Sequence, residues 1–170
     1  MKILITNDDG INSKGIKVLE NIAKQFTNEI IVIAPLENQS GKSRAITLYD
    51  NIELKQISNN HYACLGTPAD CVILALNLFY KEQYPDFIFS GINHGLNVAD
   101  DVGYSGTIAA AFEGGMHGIK SIAFSQSSVK TENDFSPSIK HGRRVVEEIL
   151  KLKMPKKNIL NVNFPSSKLN

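Results

Sequence analysis

Apolar positions in this chain follow two alternating rhythms. Residues 2–6, 29–34, 86–90, 121–125 and 158–164 are short aliphatic or β-branched runs of strand length. Between them, residues 14–26 carry Ile16, Leu19, Ile22, Ala23 and Phe26 at helical spacing. Residues 69–80 are apolar on most sides, 106–117 are rich in alanine, and 136–152 are amphipathic. Residues 45–48 and 53–57 are expected to form a small β excursion that turns at Asn59-Asn60 and returns along 61–65. Residues 125–137 are expected to be a mobile loop. The repeated alternation predicts an α/β fold in which a parallel sheet has helices on both faces.

The chemistry gathers where the strands end. The first strand runs into Thr6-Asn7-Asp8-Asp9-Gly10, and two adjacent carboxylates repel each other unless a cation or a proton sits between them. Gly10 lets the backbone turn sharply behind them. This reads as half of a divalent-metal site at the carboxyl end of a strand, although an acidic turn accounts for the same residues. The second strand is followed by Asn38-Gln39-Ser40-Gly41, and the central one by Ser90-Gly91-Ile92-Asn93-His94-Gly95-Leu96-Asn97. A parallel sheet brings these loops to one edge. There Asp8, Asp9, Ser40 and Asn93 make an all-oxygen set suited to Mg²⁺ or Mn²⁺, with water completing the octahedron.

Tyr104-Ser105-Gly106-Thr107 heads the alanine-rich helix, just after Asp100-Asp101. Hydroxyls and a glycine at a helix N-terminus suit a phosphate group, and they equally suit plain capping by Ser105 or Thr107. Gly66-Thr67-Pro68-Ala69-Asp70 reads as a helix start, with Thr67 as cap and Pro68 as first helical residue.

Composition narrows the function. With 170 residues, 42% hydrophobic and 21% charged, the chain has the make-up of one globular domain. A formal charge of +1, from 18 Lys+Arg against 17 Asp+Glu, argues against binding duplex nucleic acid or an anionic membrane by bulk attraction. Cys64 and Cys71 form no metal or redox motif. The apolar run at the start stops at Asn7, too short for a signal peptide, and no later segment reaches membrane-spanning length. A cytoplasmic protein with reduced thiols is expected.

Thr6-Asn7-Asp8-Asp9-Gly10-Ile11, Ala34-Pro35 with Asn38-Gln39-Ser40-Gly41, Gly66-Thr67-Pro68-Ala69-Asp70-Cys71-Val72, Ser90-Gly91-Ile92-Asn93, and Asp100-Asp101 with Tyr104-Ser105-Gly106-Thr107 resemble the motifs of the SurE survival-protein family, in that family's order. The resemblance spans residue 1 to about residue 118 and continues more weakly through Phe164-Pro165. It implies a Rossmann-like three-layer α/β fold with a mostly parallel sheet. It also implies a divalent-metal-dependent phosphatase of nucleoside 5′- and 3′-monophosphates. One Mg²⁺ or Mn²⁺ per subunit would be held by Asp8, Asp9, Ser40 and Asn93, with substrate phosphate contacts from Asn97, Ser105, Gly106 and Thr107. Family members continue past this chain's last residue into an extended hairpin and a terminal helix that subunits exchange. Residues 1–170 are therefore expected to be a single α/β core without that extension, and a homodimer or homotetramer is implied where the extension exists.

Asp8 and Asp9 are the candidate catalytic pair: one of them activates a water, or one attacks phosphorus directly. His94 is either a proton donor to the leaving alkoxide or a solvent-facing loop histidine, and Tyr104 either stacks on a base or packs. Lys42 and Arg44 flank the Ser40 loop, where exposed charges usually do nothing specific. A receiver-type domain would need an aspartate at the end of the central strand, where Ser90-Gly91-Ile92-Asn93 stands. A HAD-type phosphatase would need its aspartates separated by one residue, and Asp8 and Asp9 are adjacent. The non-enzyme alternative is a truncated protein that binds metal and nucleotide without turnover.

Overall fold

A computed structural model of the chain describes residues 1–127 and 134–166. The elements run β1 (Ile3–Thr6), α1 (Lys14–Ala23), β2 (Ile30–Pro35), β3 (Leu54–Ser58), β4 (His61–Cys64), α2 (Pro68–Leu78), β5 (Phe87–His94), α3 (Asp101–Tyr104), α4 (Gly106–Met116), β6 (Lys120–Gln126), α5 (Ser136–Lys151) and β7 (Ile159–Phe164). They build one seven-stranded sheet in the order β3-β4-β2-β1-β5-β6-β7. Every pairing is parallel except β3 with β4, a hairpin in which Asn60 takes a positive φ of 61° at the turn. The sheet is thus mostly parallel, as its nearly continuous apolar strands require once both faces are covered.

Alternation along each strand divides the core in two. Ile3, Ile5, Val32, Phe89 and Phe124 pack against Ile16, Leu19 and Ile22 of α1 and Val146 and Ile149 of α5. Leu4, Ile33 and Ile88 face Cys71, Val72, Ala75 and Leu76 of α2 and Ala110 of α4. The α/β expectation therefore holds as a three-layer arrangement. No helix among the described residues is long and apolar enough to cross a membrane.

Four local readings change. Residues 45–48 form no strand; their Thr47 is drawn instead to Asp70, which accepts from Thr47 N at 3.1 Å and Thr47 Oγ1 at 2.7 Å. Helix α1 stops at Ala23 because the chain tightens into i→i+3 bonds, Gln25 N to Ile22 O and Phe26 N to Ala23 O. Strand β5 runs on to His94, so Asn93 stands on a strand and not in a loop. The short α3 ahead of Ser105 has no apolar periodicity that would announce it. Of the loop expected over 125–137, residues 128–133 lie outside the described residues.

Thr67 and Asp70 form the helix start foreseen for α2, a reciprocal capping box with Pro68 in the first turn. Asp70 is buried and takes a third and fourth bond from Thr47, pinning the long segment after β2 onto α2. Asp70→Ala leaves these donors without their acceptor. A loss of about 3 kcal/mol in urea-unfolding free energy is expected, against a few tenths for the exposed Asp50→Ala.

Candidate metal and phosphate site

Asn7 builds the turn on which the acidic pair sits. Fully buried, it accepts from Gly10 N at 3.2 Å and donates through Nδ2 to Gly10 O at 3.0 Å and Ser13 Oγ at 2.8 Å. Ser13 in turn caps α1, so one amide ties β1, the turn and the helix together. Gly10 closes the turn at a φ of 99°, as its position predicted. Sequence reasoning had not singled out Asn7; its place at the head of an Asn-Asp-Asp-Gly turn was the available signal.

Asp8 lies at the carboxyl end of β1 and is only 3% exposed. Its Oδ1 accepts from the Thr107 hydroxyl, 99 residues away. Burial pushes its carboxyl above the ordinary range, opposed by that hydroxyl, by its own amide and by the amides of Thr107 and Gly106. The N-terminus of α4 therefore faces Asp8. Contact there is close: a Cβ on Gly106 would stand 2.7 Å from Asp8 Cβ and 3.0 Å from Asp8 Oδ2.

Asp9 is half-buried, and its Oδ2 accepts from His94 N at 3.2 Å, which links the end of β1 to the end of β5. Burial first, then the neighbouring Asp8 charge, push its carboxyl up to about 6, against the His94 amide. Neither aspartate forms an ion pair with Lys or Arg among the described residues.

Asn93 is half-buried on β5 and donates Nδ2 to Gly95 O at 2.9 Å. Ser40 is exposed on the loop after β2, its amide bonded to Asn38 Oδ1 at 2.7 Å. The adjacent Gln39 N donates to Asp8 O at 2.7 Å, so that loop is fastened to the acidic turn. The structure thus brings Asp8, Asp9, Ser40 and Asn93 to the carboxyl edge of β1, β2 and β5.

The expected phosphate contacts divide into two kinds. Ser105 is the N-cap of α4: its Oγ accepts from Ile108 N at 3.1 Å, so the capping reading holds for it while its hydroxyl hydrogen is left to donate outward. Thr107 is fully buried and gives its hydroxyl hydrogen to Asp8, which makes it a support for that carboxylate. Asn97 is buried in a network beyond the pair, donating Nδ2 to Ser125 Oγ at 2.8 Å while Asn161 and Asn163 donate to its carbonyl. One amide hydrogen of Asn97 remains for a ligand. Sequence reasoning missed Asn161 and Asn163; both stand on β7, where side chains alternate like any strand's.

No group of three or more His, Cys, Asp or Glu side chains suited to a metal occurs among the described residues. The candidate set has another chemistry: two carboxylates with a hydroxyl and an amide oxygen, the hard donors that a hard divalent cation takes. Two desolvated carboxyls side by side, both raised, are what a divalent charge would relieve.

Without metal the sign of the pH effect follows from Asp9. Its folded carboxyl, at about 6, holds a proton more tightly than the unfolded one at 3.8. Its contribution to stability is complete below about pH 4 and is lost as pH rises through about 6. The full shift corresponds to ~3 kcal/mol, which partial exposure cuts to about 1–2. In EDTA, the urea midpoint is expected to fall between pH 4.5 and pH 7, and Asp9→Asn to flatten that fall. An unchanged slope in the variant would assign it to other groups.

Residues 3–170 match the family described as Survival protein SurE. A protein named 5′-nucleotidase SurE from Bradyrhizobium sp. (strain ORS 278) is 43% identical over 169 residues, covering 98% of this chain and 66% of the relative. Another of that name, from Methylorubrum extorquens (strain PA1), is 44% identical over 168 residues, again covering 66% of the relative. The crystal structure of the SurE protein from Aquifex aeolicus superposes with a TM-score of 0.89 at 37% identity, over 97% of this chain and 66% of that one. The chain thus spans about 66% of the length of the relatives it matches. With its strand-end motifs in order on this sheet and the match running from residue 3 to residue 170, the chain belongs to the SurE survival-protein family.

Proposed function

We propose that this α/β core is a divalent-metal-dependent phosphatase that hydrolyses nucleoside 5′- and 3′-monophosphates to nucleoside and phosphate. The observation that carries the reading is the adjacent, desolvated pair Asp8 and Asp9, at the edge of the sheet to which Ser40 and Asn93 also come. The relatives named 5′-nucleotidase SurE support the substrate class. The buried free thiols Cys64 and Cys71 suit a reducing, cytoplasmic setting.

Asp8, Asp9, Ser40 and Asn93 would hold the ion. When bound, a hard divalent ion supplies charge neutralisation for the phosphoryl group and lowers the pKa of an attacking water. The chain's own part is orientation. The Thr107 hydroxyl and the first amides of α4 fix Asp8, and the His94 amide fixes Asp9. The Ser105 hydroxyl and the second amide hydrogen of Asn97 are donors for phosphate oxygens, and Gly106 keeps the floor of the site free of a side chain.

A cavity of about 350 Å³ opens on Asp9 between Lys14, Asn38, His94 and Phe135, giving water and a charged group a way in. A larger groove of about 770 Å³ lies along α5 and β7, lined by neither aspartate. The test is hydrolysis of p-nitrophenyl phosphate and a panel of nucleoside monophosphates. Turnover that EDTA abolishes and Mn²⁺ or Mg²⁺ restores is expected; release of phosphate unaffected by EDTA, or none with any divalent ion, overturns the reading.

A further inference from the structure

A second cavity lies next to the acidic pair, at the carboxyl ends of β2 and β4. Its volume of about 420 Å³ falls within the roughly 300–1,000 Å³ usual for small-molecule sites. Its walls include Leu36, Glu37, Gln39, Thr47, Leu65 and Thr67. Two contacts join it to Asp8. Gln39 N donates to Asp8 O at 2.7 Å. Pro68, next to Thr67, comes within 3.1 Å of the Gly106 Cβ position, itself 2.7 Å from Asp8 Cβ.

The wall chemistry selects an uncharged, flat, hydroxyl-bearing group. Leu36 and Leu65 follow the register pair Pro35 and Cys64 and stay 39% and 44% exposed, two aliphatic surfaces side by side at the cavity rim. Thr47 and Thr67 are committed to Asp70 and its amide, which leaves the Glu37 carboxylate and the Gln39 amide as the polar groups without a hydrogen bond among the described residues. A carboxylate repels phosphate, so the anion belongs on the α4 side and the neutral part of a substrate here. The other cavity, where Lys14, Asn38 and His94 stand beside Asp9, is the more polar of the two.

Spacing agrees. The midpoint between β2 and β4 is one and a half strand spacings from β1, about 7 Å at ~4.8 Å per strand, a reach that one ribose spans. Glu37 stands two residues past β2, the end of the sheet at which an acidic residue accepts ribose hydroxyls in dinucleotide-binding α/β folds.

We infer that this cavity receives the nucleoside of the substrate, with Glu37 accepting from the ribose 2′-hydroxyl and Leu36 and Leu65 covering the base. The inference rests on the phosphatase reading for the word substrate, but not for binding itself. It makes the protein a discriminator of ribo- from deoxyribonucleotides. A hydrogen bond to a charged acceptor corresponds to roughly a tenfold or larger preference for AMP over 2′-deoxyAMP in KM.

The experiment has two arms. In EDTA, adenosine is titrated into the whole chain while leucine methyl resonances are followed; Leu36 and Leu65 are expected to shift, with 2′-deoxyadenosine binding about tenfold more weakly. Glu37→Gln is expected to bring the two nucleosides to within about twofold, and Leu65→Glu, at an exposed position, to weaken both. In the second arm, the AMP to 2′-deoxyAMP ratio of KM is compared in wild type and Glu37→Gln. Unmoved Leu36 and Leu65 methyls at saturation, or a ribose preference unchanged by Glu37→Gln, overturn the inference even if p-nitrophenyl phosphate is turned over. Shifted leucines in a protein that hydrolyses nothing sustain the nucleoside site and sink the phosphatase reading instead.

Discussion

Asp8→Asn is expected to lower metal-dependent turnover by about a thousandfold and to raise the stability of the metal-free protein at pH 7. The first effect follows from the proposed site: one of the two charges that would hold the ion is removed from a desolvated place, where each electrostatic contact is worth far more than in water. The second follows from burial. Asp8 is 3% exposed and its carboxyl is raised mainly by desolvation, so its ionised form burdens the folded state. Asparagine is nearly isosteric and its amide oxygen still accepts from Thr107, so the turn survives. Steady-state kinetics, isothermal titration with Mn²⁺ and urea unfolding in EDTA check the three parts. Near-normal turnover would remove Asp8 from the site; lower apo stability would mean that the Thr107 and α4 contacts outweigh desolvation.

Gly106→Ala has the next largest expected effect, and it comes from a single methyl group. That carbon would stand 2.7 Å from Asp8 Cβ, 3.0 Å from Asp8 Oδ2 and 3.1 Å from Pro68 Cγ. Alanine at the first position of a helix is otherwise favourable, so propensity alone predicts a slight gain. Close packing reverses the sign: a loss of about 2 kcal/mol in unfolding free energy is expected, because the obstacles are a Cβ and a proline ring and not the end of a flexible side chain. Activity should fall by about a hundredfold or more, since Asp8 must move away from the α4 amides by a sizeable fraction of an ångström. Gly103→Ala, at an open position three residues earlier, is the matched control. Equal behaviour of the two variants would show that Gly106 matters only as backbone.

Several of these residues were visible without any coordinates. The Asp8-Asp9 pair was legible because like charges in sequence demand an explanation whatever the fold. That Ser40 and Asn93 come to the same edge as Asp8 was legible because a parallel sheet sends its strands' ends there. The Thr67 cap and Pro68 start of α2 were legible because capping is a local affair of four residues, while the return bond from Asp70 came only with the structure. Residues 45–48 misled because β-branched side chains mark strands only where they pair with a partner edge. Here, among the described residues, the outer edge of β3 stays unpaired, and Thr47 is held by Asp70 instead.

Local order alone thus determined the strand–helix alternation, the burial of the sheet on both faces and the arrival of Asp8, Asp9, Ser40 and Asn93 at one edge. These follow from side-chain period and chain direction, which are properties of neighbours in sequence. Only the tertiary structure decided that Thr107 supports Asp8, that Ser105 caps α4, that Asn97 is tied to β7, and that Leu36 and Leu65 share one cavity rim. All but the Ser105 cap depend on hydrogen bonds or packing between segments tens of residues apart. A hydroxyl that caps a helix and one that holds a distant carboxylate look the same in sequence, because partner distance is fixed only when the sheet has assembled.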